Sequence, residues 1–547
     1  MGPRSVLLAC VLPLAVGADA CARPPSSTSE LRLMGHVLVL DADRRLLSWS
    51  SADSPYAEVA RLAAETFATK FGVEEPVVET WLAWSRFDPE TFAGVNWPHN
   101  PAGLYAMLMD SATLWYAFSG DRRLLEDALK ALDAALAHGT TPASWDWARV
   151  PYASADPGEV EYRGADDSWC DSCGRGDGIG VIEPDKVAEL GFAYVQAFEL
   201  TGDARYRDAA IACADALATH VRVGDESRSP WPFRVHAETG IVREEYSANV
   251  VAAIVLFDEL GRLDFGDTDA YAAARAKALD WLLRVPLTND AWSGYFEDIE
   301  IQSDPSANPN QYAALRTARW LLAHPDADPN WRADVAHLLE WTTAQFGCDT
   351  ETESGTQWGA TVLSEQGADM AKMGSHTARF GAMLALWFAA TGDPNAAERA
   401  ARSLNWATYT CSESGTVAVG PDANEGYWFS DGYGDYIRHF LVAMGAVPEW
   451  APARENHILQ STSLVTRVAY RTGRIQWSTF DSDATETLRL AARPRSVVGG
   501  GLPLLQRSDL GRPGYTIWPI ASGGYIVRVR HRTPGEIVLT TTSSLLF

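Results

Sequence analysis

A short turn recurs along the chain, and it constrains the fold more than any other sequence feature. The turn is a hydroxyl residue followed by glycine and aspartate, and it occurs at 119–121, 201–203 and 391–393. An apolar stretch precedes each turn and an amphipathic stretch follows it. Glycine suits the left-handed position that ends a helix, and aspartate can accept hydrogen bonds from the free N–H groups of the next helix. Each turn therefore predicts two helices joined as a hairpin.

Weaker copies of this turn complete a series. They lie at 266–267 and 326–329, and 53–55 opens the first helix. The predicted helix starts are residues 53, 121, 203, 267, 328 and 393. Successive starts are 61 to 82 residues apart. A repeat of this kind indicates stacked copies of one two-helix unit.

The two helices of each unit have different patterns. The helix after each turn has one apolar face, whereas the helix before the next turn is apolar nearly all round and should be buried on every side. Inner helices are predicted near 100–118, 184–200, 244–262, 308–323, 374–390 and 432–446. Outer helices are predicted near 54–70, 122–138, 204–220, 268–284, 329–346 and 394–409. The predicted fold class is mainly α, an (α/α)6 toroid of six helical hairpins over 49–450.

The connections between these helices are of two lengths. Inner-to-outer links are turns of a few residues, whereas outer-to-inner links are long. The long links are 71–98, 139–183, 221–243, 285–307, 347–373 and 410–431. Because the helices alternate in direction, all long links should lie on one face, and long loops in a compact domain are usually functional. We expect this face to be the mouth of a binding cleft.

The two ends of the chain differ from the helical body. Residues 455–547 alternate apolar and polar residues between Gly and Pro turns, which predicts a small antiparallel β domain, interpreted as a structural cap rather than a carbohydrate-binding module. Residues 1–20 have the pattern of a signal peptide, and Cys21 follows as in a lipoprotein. Residues 21–48 are interpreted as a tether and lead-in. The expected location is periplasmic or cell-surface, with a lipid at Cys21 as the only membrane attachment.

The six hairpins and their aromatic-rich connectors resemble the six-hairpin glycosidase-like superfamily over about 50–450. Its members include glycoside hydrolases, polysaccharide lyases and sugar epimerases. The resemblance implies a polysaccharide or oligosaccharide as partner. A formal charge of −26 disfavours nucleic acid, because a phosphate backbone would be repelled.

Paired carboxylates are the first candidate chemistry, because glycoside hydrolysis needs one protonated and one ionised carboxyl beside the scissile bond. Glu245 and Asp435 are predicted just inside inner helices, where they could point into the cleft, and Glu183 is the substitute partner. Asp185 and Glu244 are interpreted mainly as helix-capping residues. Hydrolysis is ranked first because the acidic surface suits neutral substrates.

Two alternatives remain open. A polysaccharide lyase needs a base and groups that neutralise a uronate carboxylate. For it, Tyr246 is the predicted base. The groups predicted around the uronate are His99, Asn100, His376 and Arg379. The other alternative is a glycan-binding surface lipoprotein without catalysis.

Aromatic side chains in the mouth segments are predicted to bind sugar rings, whose C–H faces pack on aromatic faces. The predicted substrate-binding residues are Trp97, Trp169, Trp231, Phe233, Trp292, Trp358, Trp428 and Tyr433. Arg234 is predicted as an anion contact beside them.

Cysteines and one acidic loop complete the predictions. Cys170 and Cys173 predict a local disulfide, and Cys348 with Cys411 a second one, because they occupy equivalent places in successive repeats. Cys213 is predicted to be a free buried thiol. No cofactor is expected, apart from a weaker indication of calcium. The candidate calcium ligands are Asp166, Asp167, Asp171 and Asp177.

Overall fold

The computed structural model describes most of the chain. The described residues are 32–33, 35–70, 84–87, 94–98, 101–155, 161–165, 177–293, 309–347, 358–364, 372–420, 428–429 and 434–542. The predicted signal peptide and the Cys21 lipidation site lie outside these residues, and both stay predictions. The later part of the predicted lead-in, from residue 35, is packed against the helical body, where the hydroxyl of Ser48 donates a hydrogen bond to the hydroxyl of Thr408.

The helical body alternates outer and inner helices along the chain. In chain order the helices are α1 Pro55–Lys70, α2 Pro101–Ser119, α3 Arg123–His138, α4 Pro184–Thr201, α5 Ala204–His220, α6 Val251–Leu263, α7 Thr268–Arg284, α8 Gln311–Ala323, α9 Trp331–Phe346, α10 Gly374–Thr391, α11 Pro394–Thr408 and α12 Ile437–Ala446. A single helical turn, Pro286–Asn289, follows α7. Within the described residues, none of the helices combines the length and apolarity needed to cross a membrane.

The even-numbered helices form a closed inner ring. Each of them packs against the next, and α12 packs against both α10 and α2, which joins the last unit to the first. The odd-numbered helices lie outside, each packed on its hairpin partner. The predicted (α/α)6 toroid is confirmed.

The recurring turn has the predicted chemistry, and its hydroxyl residue forms two hydrogen bonds that the pattern alone did not indicate. Gly120, Gly202 and Gly392 have φ of +77°, +71° and +76°, the left-handed conformation that ends a helix. The Thr201 hydroxyl donates to the carbonyl of Ala197 and accepts from the N–H of Asp203. The same two bonds form at the other two turns. The hydroxyl residue therefore holds the aspartate in place to begin the next helix.

Short strands join the long connectors on the mouth face. The pair β1 Arg32–Leu33 and β2 His36–Val37 precedes the ring. One three-stranded sheet contains β3 Trp84–Phe87, β4 Gly94–Pro98 and β8 Trp428–Phe429, and the other contains β5 Val181–Ile182, β6 Arg234–His236 and β7 Ile241–Glu244. The first sheet pairs the first connector with the last, and the second pairs neighbouring connectors. The long connectors thus meet on one face.

Two predicted inner helices begin later than expected. The third was predicted from 244 but begins at Val251, because Arg234–His236 and Ile241–Glu244 pair as a hairpin whose turn contains Gly240 with φ +68°. The sixth was predicted from 432 and begins at Ile437. These shifts move Glu245 and Asp435 out of the helices.

The C-terminal region is a small β domain of two antiparallel sheets. Its strands are β9 His457–Ser461, β10 Val465–Arg471, β11 Arg474–Thr479, β12 Asp483–Leu490, β13 Pro494–Gly499, β14 Leu502–Leu504, β15 Gly514–Pro519, β16 Tyr525–Arg532 and β17 Ile537–Thr541. The sheets have the strand orders β10-β11-β17-β13-β14 and β15-β16-β12-β9, and both contribute to one apolar core.

This β domain packs on the face opposite the mouth, where the short turns lie. The Tyr470 hydroxyl donates to the carbonyl of Ala117 at 2.5 Å, and the His457 ring lies 2.8 Å from the carbonyl oxygen of Phe118 and stacks on its side chain. Arg262 on α6 forms an ion pair with Asp481. We refer below to this end of the ring as the closed face.

Candidate active site on the ring axis

The inner helices carry polar side chains that face the ring axis. On α8, Tyr312, Arg316 and Arg319 follow the i, i+4, i+7 spacing of one helix face. They line a cavity of about 250 Å³ together with side chains of α2, α4, α6 and α12. We call this cavity the axial chamber. Its polar wall consists of Asp110, Gln196, Glu189, Tyr312, Arg316, Arg319, His324 and Arg438.

Two carboxylates of α4 lie together at the mouth end of this axis. The side-chain amide of Asn249 donates to Asp185 Oδ2 at 3.0 Å and lies 3.5 Å from Glu189 Oε1. The two carboxylate oxygens are therefore no more than about 6.5 Å apart. Asp185 and Glu189 are one helical turn apart, so α4 itself sets their spacing.

Tyr312 connects this carboxylate pair to the arginines. Its hydroxyl donates to Glu189 Oε1 at 2.7 Å and accepts from Arg316 Nη1 at 3.0 Å. The guanidinium of Arg379 lies 4.6 Å from the centre of the Tyr312 ring. Burial raises the pKa of Tyr312 to about 12, so at neutral pH the hydroxyl keeps its proton and acts as a donor.

Asp435, one of the two predicted catalytic carboxylates, lies in a buried network of ion pairs. It is completely buried and accepts from Arg379 and from Arg438, and His439 Nε2 lies 3.0 Å from its Oδ1. Burial alone would raise the pKa of Asp435, but the two guanidinium groups and His439 outweigh it and hold that pKa well below its ordinary value. This carboxyl is therefore neutralised inside the protein and stays ionised, and its role as an acid or base stays a prediction.

Arg379 and His376 belong to the same buried cluster. Arg379 pairs with Asp435 and donates to Gln311 Oε1 at 3.1 Å. Burial and the nearby Arg379 hold the pKa of His376 well below its ordinary value, so its ring is neutral at physiological pH. Arg379 is thus already engaged by a carboxylate, which is not the open uronate contact that the lyase hypothesis predicted.

Glu245, the other predicted catalytic carboxylate, faces away from the axis. Its side chain is 43% exposed and forms an ion pair with Arg222, which follows the outer helix α5. The prediction placed Glu245 inside an inner helix, but the chain is still extended there, so the side chain turns outward. The structure therefore does not bring Glu245 to the axis, and its catalytic role stays a prediction.

Glu183 lies in a second buried charged cluster beneath the mouth. Arg234 Nε donates to its carboxylate at 3.0 Å, and Lys186 Nζ lies 3.6 Å from it. Arg234 also pairs with Asp177 at 2.5 Å. The carboxylate of Glu183 is therefore paired with cations within the protein, and its role as a substitute acid or base stays a prediction. Arg234 is likewise committed to carboxylates and is not an open anion contact.

The predicted lyase base, Tyr246, points into the outer layer. It is buried, donates its hydroxyl to the carbonyl of Ala291 at 2.9 Å and packs against Trp281 of α7. Burial raises its pKa far above the ordinary value, which disfavours a role as base. The role of Tyr246 as a base stays a prediction. His99 and Asn100 lie outside the described residues and stay predictions.

The aromatic residues predicted to bind sugar differ in where the structure places them. Trp231, Phe233 and Trp292 are buried, and the Trp231 ring donates to the carbonyl of Leu217 on α5. Their burial makes them packing residues in the structure. Sequence position alone did not show which way these side chains turn. Trp358 is half-buried against the core. Trp97 and Trp428 lie on β4 and β8 of one sheet, and Trp169 and Tyr433 lie outside the described residues.

The cysteine and calcium predictions have mixed outcomes. Cys213 is a free buried thiol, as predicted. Cys411 is also free and buried, with its sulfur facing the carbonyls of Val59 and Ser412, so the predicted bridge to Cys348 is wrong. The remaining partners of these predictions, Cys170, Cys173, Cys348, Asp166, Asp167 and Asp171, lie outside the described residues. Asp177 pairs with Arg234, and the described part of the chain contains no group of His, Cys, Asp or Glu side chains arranged to hold a metal ion.

Sequence reasoning missed Glu189, Arg316 and Arg319 and interpreted Asp185 as a cap. The signal was present, because Arg316 and Arg319 interrupt a helix predicted to be buried on all sides. A charged side chain in such a helix needs a partner or a cavity. The spacing of these residues, rather than their nearness to helix starts, indicates the site.

Comparisons with known proteins support the fold. No protein-family model matches the chain, and no curated protein matches it at the sequence level. A cellobiose 2-epimerase from Bacillus thermoamylovorans B4167 is similar in structure, with a TM-score of 0.50, 10% identity, and coverage of 71% of this chain and 97% of that one. A sugar epimerase from a ruminal bacterium has a TM-score of 0.49 and 12% identity over 71% of this chain and 99% of that one. An unsaturated glucuronyl hydrolase specific for heparin has a TM-score of 0.45 and 9% identity over 72% and 98%. The likeness to the cellobiose 2-epimerase supports the fold, a ring of helical hairpins.

Proposed function

We propose that this chain is a carbohydrate-active enzyme that hydrolyses a glycosidic bond at the mouth end of the ring axis. The observation that carries the proposal is the pair Asp185 and Glu189, two carboxylates bridged by one amide on the axis. Their oxygens are no more than about 6.5 Å apart, an upper limit that is compatible with the roughly 5–5.5 Å separation in retaining glycosidases. The cellobiose 2-epimerase of similar fold supports a sugar as substrate.

The surroundings of the two carboxylates assign them different roles. Glu189 accepts from the Tyr312 hydroxyl and lies 3.7 Å from Arg316, so it is the ionised carboxylate that attacks the sugar or activates water. Asp185, which also lies 3.8 Å from Lys186 Nζ, is then the proton donor to the leaving oxygen. Tyr312 and Asn249 hold the pair in position by hydrogen bonds.

The second candidate is cleavage of a uronate-containing glycan by β-elimination. One observation favours it: Tyr312 lies between Arg316 and Arg379, which are the residue types of a base and of groups that stabilise a carboxylate. The raised pKa of Tyr312 and its donation to Glu189 disfavour it as a base in the unliganded protein.

Turnover on a panel of neutral and uronate glycans tests the proposal. Hydrolysis gives new reducing ends alone, β-elimination adds the ultraviolet absorbance of an unsaturated uronate, and an epimerase changes the sugar without cleavage. We expect Glu189→Gln to reduce hydrolysis at least 100-fold on all substrates. Asp185→Asn should lose activity on the glycan but keep it on aryl glycosides whose leaving group needs no proton.

Glu126→Gln, an exposed substitution on the outer helix α3, is the matched control and should leave turnover unchanged. Circular dichroism melts of all three variants separate lost chemistry from lost folding. Turnover that survives Glu189→Gln in a folded protein would contradict the proposal. Binding of a glycan with no product from any substrate would instead support the non-catalytic surface protein.

A further inference from the structure

The wall of the axial chamber contains more arginines than carboxylates. Three arginines, Arg316, Arg319 and Arg438, reach its wall from α8 and α12. The carboxylates in the same wall are Asp110 and Glu189. In a chain with a net charge of −26, this local excess of cations stands out from the rest of the molecule.

Two of these arginines are compensated by neighbouring groups. Arg438 donates to Asp435 and lies 3.3 Å from Asp110. Arg316 donates to the Tyr312 hydroxyl and lies 3.7 Å from Glu189. Both guanidinium groups therefore have defined partners in the unliganded protein.

Arg319 differs from the other two. It is half-buried, and among the described residues nothing forms a hydrogen bond or an ion pair with it. Burial lowers its pKa, Asp110 opposes this shift, and the neighbouring Arg438 and Arg316 add to it. A cation in this position is costly unless a ligand supplies the missing negative charge.

The rest of the chamber suits a small ring-shaped ligand. Phe192, Val255 and Trp320 contribute apolar surface to the same chamber. A volume of about 250 Å³ lies below the roughly 300–1,000 Å³ of pockets that take drug-sized ligands. It is space for one sugar ring rather than for a chain.

We propose that the axial chamber is an oxyanion-binding subsite, in which Arg319 holds the carboxylate of an acidic sugar residue. Arginine presents two parallel N–H donors to a carboxylate, and the apolar walls contact the C–H face of the ring. The inference adds the charge of the ligand to the proposed function. It rests on that function only for the assumption that the ligand is a sugar. The oxyanion contact itself depends on the chamber alone.

Direct binding tests this proposal without turnover. Isothermal titration and thermal melts are run at constant ionic strength with D-glucuronate, D-glucose and inorganic phosphate. We expect glucuronate to bind and to raise the melting temperature, and glucose to bind at least tenfold more weakly. Arg319→Gln should weaken glucuronate binding at least tenfold, whereas Arg319→Lys should retain part of it.

Stability without ligand separates a binding role from a structural one. Because Arg319 is half-buried without a hydrogen bond or an ion pair among the described residues and only the nearby charge of Asp110 favours it, Arg319→Gln should melt at the same temperature as the wild type or higher. Arg284→Gln, an exposed substitution on the outer helix α7, is the control and should change neither binding nor melting. A marked loss of stability in Arg319→Gln would overturn the proposal, as would equal binding of glucose and glucuronate.

The two proposals can fail separately. Binding of glucuronate that depends on Arg319 but persists in Asp185→Asn, with no product from any glycan, supports the subsite and contradicts the hydrolase. Phosphate binding that also depends on Arg319 supports an oxyanion site that accepts inorganic anions as well. Hydrolysis with glucuronate binding unchanged in Arg319→Gln would contradict the subsite alone.

Discussion

The two faces of the ring are built in different ways. On the closed face, turns of a few residues join the helices, and the β domain packs against them through apolar side chains and bonds to helix-end carbonyls. On the mouth side, buried charges connect segments that are far apart in the sequence, such as α10 and the residues just before α12 through Arg379 and Asp435. The closed face depends on local repeats, and the axis depends on long-range pairing.

This difference predicts how each face responds to substitution. A buried ion pair that loses one partner leaves an uncompensated charge, whereas a turn that loses its glycine is strained only locally. The axis should therefore be the more sensitive of the two regions, although its residues are not all catalytic.

The largest effect should come from Asp435. Asp435→Asn leaves Arg379 and Arg438 buried without their shared carboxylate, and we expect a loss of about 3–5 kcal/mol in the free energy of unfolding. Urea denaturation measures it. Asp326→Asn, an exposed substitution in the α8–α9 connection, should have no measurable effect. A change below about 1 kcal/mol at Asp435 would show that the network is not structural and would reopen its catalytic role.

The next effect tests the closed face with three equivalent turns. Gly120, Gly202 and Gly392 share a left-handed conformation, but only at Gly120 would an added Cβ meet a β-domain side chain, the Tyr470 ring at 3.2 Å. Gly202 and Gly392 have open space there. We expect alanine to cost about 1 kcal/mol at Gly202 and Gly392 and roughly 2–3 kcal/mol at Gly120. Equal losses at all three turns, measured by thermal melts, would show that the β domain does not press on the first turn.

The same contrast explains how much could be predicted from the sequence. The turns, the hairpins and the closed ring follow from local residue pattern, so they were predictable from the repeat of Gly-Asp turns. The β domain followed from its alternating residues. The late start of α6 was not predictable from apolarity, because the hairpin that ends at Glu244 depends on pairing with Arg234–His236.

The candidate site was less predictable, for a physical reason. Whether Asp435 is an acid or an ion-pair partner depends on where Arg379 and Arg438 lie, and Arg379 is 56 residues away. Nearness to a helix start put Glu245 and Asp435 first, but an inner helix exposes to the axis only the residues on one face. Applying that spacing to the charged residues within α4 and α8 would have indicated Glu189 and Arg319.

The smallest expected effect concerns the protonation of Glu199 at the closed face. Glu199 at the end of α4 pairs with Arg262, which also reaches Asp481 of the β domain. Burial raises the pKa of Glu199 to about 7, against an ordinary 4.5, and Arg262 only partly offsets it. The folded protein therefore binds this proton more tightly than the unfolded chain. The contribution of Glu199 to stability is most favourable below pH 4.5 and is lost as the pH rises through 7.

Glu199→Gln isolates this contribution. Relative to the variant, the wild type should gain roughly 1–2 kcal/mol in stability when the pH falls from about 8 to about 5. Thermal melts of both proteins across that range measure the difference, and Glu126→Gln on the exposed face of α3 corrects for general acid effects. A difference that is independent of pH would show that Arg262 keeps Glu199 ionised. In that case buried ion pairs would stabilise the closed face as they stabilise the axis. The two regions would then differ in the number of buried ion pairs and not in the type of interaction that stabilises them.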